Sequence, residues 1–299
     1  MHIGIALPHM GETTPTMIVR IAQEAEQLGY ASLWTGERLL RPRAYRPFGF
    51  PPGPMPDYFK ISYDPLETLS FIAGQTKRIK LGTSVMVTPF HPPVVLARRL
   101  ATLDQLSQGR VIAGLGQGWL RDEFEATNAS FQSRGDRLED YIRAVRAVWG
   151  PNPVRYEGPF YRIGESDIGP KPLQAGGPPL LLGVGAPVAL EIAARLSDGL
   201  NPIALSWKQL IWTMREFPAM VRRAGRDPQR MLIVLRSNYP VSPNPLPEPR
   251  NPLHGCVEQI REDVQRLETL GIEHIFFDLV AFPLHQHLEL LARLRSVAK

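Results

Sequence analysis

Two glycine-rich turns and one charged pair have the residue types and spacing to do chemistry. Gly183-Val184-Gly185-Ala186-Pro187 runs from an apolar segment straight into a helical pattern. Glycine lets backbone approach a ligand closely, and unpaired N–H groups at a helix start suit an anion. Gly183, Val184, Gly185 and Ala186 are therefore expected to hold a phosphate, with an ordinary tight connection as the plain alternative. Gly116-Gln117-Gly118-Trp119 follows a second apolar segment. It reads either as a wall of a ligand pocket or as Trp119 packing under the next helix. Glu37 and Arg38 close a third segment, as a surface ion pair or as catalytic groups on a rim. Arg38, Arg41, Arg43 and Arg46 crowd the loop beyond. They read as a solvated basic loop or as a mouth attracting an anionic cofactor tail.

Other chemistries lack their motifs. The histidines are scattered, and no H-E-x-x-H or Cys/His cluster marks a metal site, so none is expected. His285 and His287 are two apart on an expected helix and point to different sides. Gly82-Thr83-Ser84-Val85-Met86 lacks the second glycine of a nucleophile elbow. Cys256, the single cysteine, opens an expected helix far from any strand end and reads as a small buried thiol.

The elements that must position these residues alternate. Strands are expected at 3–7, 32–35, 79–85, 111–115, 180–183, 200–203, 231–236 and 274–279. Helical patterns separate them. Thr14-Pro15 caps the first and Gly29 stops it. Others are expected at 64–76, 94–107, 138–149, 187–196, 207–224, 257–270 and 284–297, with a hairpin at 154–163. Eight alternating strands and helices in one domain of 299 residues fit a (β/α)8 TIM barrel, with chemistry at the strands' C-terminal ends. Insertions are expected after strands 2, 4 and 7, two of them being the proline-rich loops 38–64 and 240–252. A doubly wound sheet is the runner-up, but Trp119 stands where a dinucleotide fingerprint needs its third glycine.

Composition narrows the partners. The net charge of +5 is spread along the chain, with 34 basic and 29 acidic residues, so nucleic acid is not expected. There is no apolar run of about 18 residues, so no membrane span is expected. A chain that enters a strand at once and has one cysteine is expected to be cytoplasmic.

Longer motifs carry a resemblance. SLWTGERL (32–39), DPLETLSFIAGQTKRIKLGTSVMV (64–87), GLGQGWLRDEF (114–124) and PPLLLGVGAPVALEIAARLSDGL (178–200) are similar to the bacterial luciferase-like monooxygenase superfamily. So are LARRLATLDQLSQGR (96–110) and FYRIGESDIGPKP (160–172), and the branch resembled most uses the deazaflavin coenzyme F420. The resemblance implies a flavin or deazaflavin ring at the C-terminal face, with its phosphate near 183–186. It also implies a non-prolyl cis peptide at Ser84-Val85, bulging against the ring. Ser84, Val85, Gly116, Gln117 and Gly118 are thereby implied as cofactor contacts. A homodimer is implied as well.

One departure bears on chemistry. Relatives commonly end strand two with Asp-His, the histidine being catalytic in the sugar-phosphate dehydrogenase branch. Glu37-Arg38 stands here, and arginine cannot act as a base. In that branch a catalytic glutamate follows strand four, where Trp119 stands here. The resemblance therefore implies a reductase that donates hydride to an activated double bond, with Arg38 polarising a developing anion. The alternatives are an FMNH2-dependent monooxygenase of the same fold and a non-catalytic flavin-binding barrel.

Overall fold

The computed structural model describes residues 1–43, 55–204, 206–239, 241–280 and 282–298. Arg46 and the rest of 44–54 in the first proline-rich loop lie outside them, as does Pro240 of the second.

Strands β1 (His2–Ala6), β2 (Ser32–Thr35), β3 (Lys80–Thr83), β4 (Met86–Val87) and β5 (Val111–Gly116) come first. β6 (Val154–Glu157) and β7 (Arg162–Ser166) form the antiparallel hairpin. β8 (Leu180–Gly183), β9 (Gly199–Leu200), β10 (Leu232–Ser237) and β11 (His274–Phe277) complete the set. The sheet order β3-β2-β1-β11-β10-β9-β8-β5 closes through β3–β5, and every pairing in it is parallel. This is the eight-stranded barrel expected from the sequence. Helices α1 (Pro15–Gln27), α2 (Pro65–Ala73), α3 (Pro93–Leu106), α4 (Arg121–Ala126) and α5 (Leu138–Trp149) follow strands of the first half. α6 (Pro187–Leu196), α7 (Trp207–Arg223), α8 (Val257–Thr269) and α9 (His287–Arg295) follow those of the second.

Three expectations need correction. The sixth strand, expected at 200–203, is the two-residue Gly199–Leu200, with Ile203 in an isolated bridge to Arg236. The third strand is not continuous over 79–85. It breaks at Ser84-Val85, which is a cis peptide, and resumes as β4. The short helix α4 was not expected, because 121–126 is mostly charged and carries little apolar periodicity.

Local chemistry explains the helix starts. Asp64 accepts the Leu66 N–H at 2.8 Å with Pro65 at the first position of α2. Cys256 is the N-cap of α8, and Gln259 Oε1 accepts its N–H at 3.2 Å, so this cysteine serves helix geometry. His287 is buried on α9, whereas His285 lies in the preceding 3-10 turn.

Two apolar layers form. One lies between strands and helices, for example Ile5, Ile21, Leu69, Leu100 and Ile142. The other fills the barrel, where Trp34 stacks on Phe276 with centroids 4.7 Å apart. Polar groups at the strands' N-terminal ends tie loops. Glu26 accepts the N–H groups of Lys77, Arg78 and Ile79, and Arg110 donates to the carbonyls of Ala73 and Ile79. In barrels this end serves stability, which leaves the opposite end for ligands.

Candidate functional site

A cavity of about 710 Å³ opens at the C-terminal ends of the strands. Glu37, Arg38, Ser84, Val85, Gly116, Gln117, Gly118, Trp119, Gly183, Val184 and Gly185 all line it. Ala186 does not. It is the N-cap of α6, one residue past the turn, and its side chain is exposed.

The floor is built around the break in the third strand. A Cβ on Gly116 would lie 2.4 Å from Val85 Cγ2, and one on Gly183 would lie 2.9 Å from Val85 Cγ1. The Val85 isopropyl group therefore occupies the space these glycines leave open. Gly116 was expected to face a ligand directly, but its lack of a side chain first serves Val85. Ser84 is held from below and beside. Its Oγ donates to Asn201 Oδ1 at 2.5 Å, and Arg236 Nη1 donates to its carbonyl at 2.6 Å. Arg236 Nη2 also donates to Asp278 Oδ2 at 2.6 Å, and its Nε to Asn238 Oδ1 at 2.6 Å.

Glu37 is buried, which removes the surface ion pair as its explanation. Its carboxylate accepts the Val87 N–H at 2.6 Å and contacts His91 Nε2 at 2.7 Å. It thus pins the resumed strand β4 and the turn after it. Arg38 donates through Nη1 to Glu123 Oε2 at 2.8 Å, while Leu39 N–H reaches Glu123 Oε1 at 2.7 Å. The guanidinium carbon lies 4.7 Å from the Trp119 ring centroid and 5.1 Å from that of Phe59. Burial pulls the Arg38 pKa down and pushes Glu123 up, each against the attraction of the other. Desolvation outweighs the Coulombic gain for both, as is common for buried pairs. Arg38 Nε is buried without a hydrogen bond.

The glycine turn is open. A Cβ on Gly185 would meet only Gln209 Nε2, at 3.3 Å. Among the described residues no protein acceptor takes the Gly185 N–H. Ser206 and Gln209, from the start of α7, line the cavity with it. Arg134 is a further lining cation and makes no ion pair among the described residues. Arg41 is different: it donates to the carbonyls of Met55 and Pro56 and to Asp57, so it ties the first loop together.

Sequence reading missed Asn201, Arg236, Asp278, Glu123 and His91. The first three sit at or just beyond the ends of β9, β10 and β11, and strand-end position was the signal that would have found them. Glu123 and His91 sit beyond strand ends, and only their partners Arg38 and Glu37 reveal them. Ionisable groups therefore surround the cavity, among them Glu37, Arg38, Glu123, Arg236 and Asp278. Among the described residues no group of three or more His, Cys, Asp or Glu could hold a metal ion. None of the described helices is long and apolar enough to cross a membrane.

A flat, phosphate-bearing ring fits these residues: Val85 offers an apolar platform, and the open turn offers N–H groups beside it. Comparison with known proteins points the same way. An uncharacterised protein of Mycobacterium tuberculosis is 32% identical over 203 residues, covering 67% of this chain and 71% of that one. An F420-dependent glucose-6-phosphate dehydrogenase of Amycolatopsis mediterranei is 30% identical over 211 residues, covering 69% of this chain and 58% of that one. An FMNH2-dependent dimethylsulfone monooxygenase of Pseudomonas fluorescens is 33% identical over 130 residues, covering 42% of this chain and 35% of that one. Relatives thus include both oxidoreductases that use F420 and monooxygenases that use FMNH2. The profile of the luciferase-like monooxygenases matches residues 1–245, so with its parallel barrel and the Val85 floor the chain belongs to the luciferase-like monooxygenase family.

Proposed function

We propose that the protein is an F420-dependent oxidoreductase that moves a hydride between the deazaflavin and a small organic substrate. One observation carries the reading: the Val85 isopropyl group stands in the cavity floor between Gly116 and Gly183, beside the open turn at 183–185. The cofactor, when bound, supplies or accepts a hydride at a ring carbon. The chain's own residues bind and orient. Val85 supports one face of a ring, and the N–H groups at 183–185 receive a phosphate, helped by Ser206 and Gln209. Arg134 favours an anionic tail. Arg236 and Glu37 hold the floor in place through the Ser84 carbonyl and the Val87 N–H. Met10, Met55 and Leu210 add apolar surface to the cavity wall.

Similarity favours F420 over FMN. The match to the F420-dependent relative covers 69% of this chain, against 42% for the FMNH2-dependent one. The test is separate titration with oxidised F420 and with FMN, read by fluorescence. Micromolar or tighter binding of F420 is expected. Binding of FMN with none of the deazaflavin would overturn the proposal in favour of the monooxygenase.

A further inference from the structure

Every carboxylate facing the cavity is already engaged. Glu37 holds the Val87 N–H and His91. Glu123 holds Arg38 and the Leu39 N–H. Asp278 holds Arg236 at 2.6 Å and the Val280 N–H at 3.0 Å. Two arginines are thus matched by two carboxylates, and Glu37 adds a third acidic group. Arg134 is the lining cation that makes no ion pair among the described residues, and the proposed function assigns it to the anionic tail of the cofactor. With cofactor bound, an anionic substrate therefore meets only matched arginines. Met10, Met55, Phe59 and Trp119 are apolar or aromatic members of the same lining.

Tyr58 is the exception among these acids. It comes from the 3-10 turn Asp57–Lys60, and its ring packs on Phe59 with centroids 4.5 Å apart. It lines the cavity, and no described residue takes a hydrogen bond from its phenol. Arg38, Arg236 and Asp278, from three different elements, line the same cavity as Tyr58. Burial, with Asp278 adding to it, raises its pKa and keeps the proton on. A half-buried donor with no partner among the described residues, in a cavity that also holds paired ions and apolar side chains, suits a neutral acceptor such as a carbonyl oxygen.

We propose that Tyr58 is a catalytic residue that hydrogen-bonds the carbonyl of an uncharged, conjugated substrate, a C=C–C=O compound, and gives up its proton on reduction. This rests on the hydride-transfer reading above. The hydride from the reduced cofactor forms the new C–H bond at the β-carbon, and the alkene π pair shifts to leave an enolate. The Tyr58 proton neutralises that enolate, and the phenolate regains a proton from solvent. The substrate gains two electrons and two hydrogens, and the cofactor loses two electrons.

The test uses cyclohex-2-enone as probe. The protein is first saturated with whichever oxidised ring cofactor binds it, so no turnover occurs. Should neither cofactor load, the cofactor reading fails on its own, and the same comparison is made on the protein alone. The carbonyl stretching band of bound enone is expected at lower frequency than in an apolar solvent, and Tyr58→Phe should abolish that shift. Affinity should fall about fivefold, the worth of one neutral hydrogen bond. With cofactor bound and Arg134 taken by its tail, cyclohex-1-ene-1-carboxylate should bind at least about tenfold more weakly than the enone. With reduced cofactor, single-turnover alkene reduction should fall about a hundredfold in Tyr58→Phe, with cofactor affinity unchanged. An unshifted band in the wild type, an unchanged band in Tyr58→Phe, equal binding of the carboxylate, or no binding of the enone would each overturn the proposal.

Discussion

Replacing Arg38 with alanine should cost stability, not merely turnover. The Arg38 and Glu123 side chains are 9% and 2% exposed, so solvent screens their contact little. Removing one member of such a pair leaves the other charge buried and costs about 3–5 kcal/mol. Glu123 keeps the Leu39 N–H as a partner, which sets the expectation at the lower end, about 3 kcal/mol. The pH dependence has a definite sign. Burial already holds the Glu123 pKa above its ordinary value of 4.5, and Arg38 is the largest influence opposing it. Without Arg38 the folded-state pKa rises further. A carboxyl raised in the folded state favours folding at low pH, and that advantage is lost as pH rises through the folded pKa. The deficit of Arg38→Ala should therefore be largest at about pH 8 and shrink as pH falls toward the carboxylate range. Urea unfolding at a series of pH values measures it. The double variant Arg38→Met/Glu123→Gln removes both charges and should recover most of the loss. A deficit under about 1 kcal/mol at about pH 8, or one independent of pH, would refute the account of Arg38 as half of a buried pair.

Three further outcomes are expected. Gly185→Leu should leave the melting temperature unchanged, because its Cβ meets only the flexible end of Gln209. It should weaken cofactor binding at least about tenfold in the fluorescence titration, and unchanged affinity would remove the turn from the phosphate site. Gly116→Val should do both kinds of damage: the Cβ would sit 2.4 Å from Val85 Cγ2. Overpacking of this kind costs about 1–3 kcal/mol, so an unaltered melting curve would contradict the packing described for the floor. His274 is held at a pKa of about 4 by burial, against 6.5 ordinarily, and its Nε2 lies 2.7 Å from Ser32 Oγ. Its stabilisation is complete above 6.5 and lost as pH falls toward about 4, worth up to about 3 kcal/mol. His274→Gln should flatten the stability profile across that window in urea unfolding.

What the sequence determined on its own was local. Apolar periodicity, proline-capped helix starts and glycine stops act over a few residues, so the number and order of the barrel strands and the hairpin were legible, though not the break in the third strand or the bounds of the sixth. Strand ends were legible too, and with them Glu37, Arg38, the turn at 183–185 and the segment 116–119. Ser84-Val85 was legible only through resemblance, because nothing in GTSVMV taken alone marks a break. The tertiary structure decided what each group touches. Arg38 meets Glu123 across 85 residues, and Arg236 meets the Ser84 carbonyl across 152. Those contacts exist because β3 pairs with β5 and closes the ring, bringing strand ends distant in sequence around one opening. Whether a charged side chain is a free reagent or half of a neutralised pair depends on that closure. No local pattern encodes it, and so Arg38 read as an anion binder from its position, while in the fold its charge is matched by Glu123.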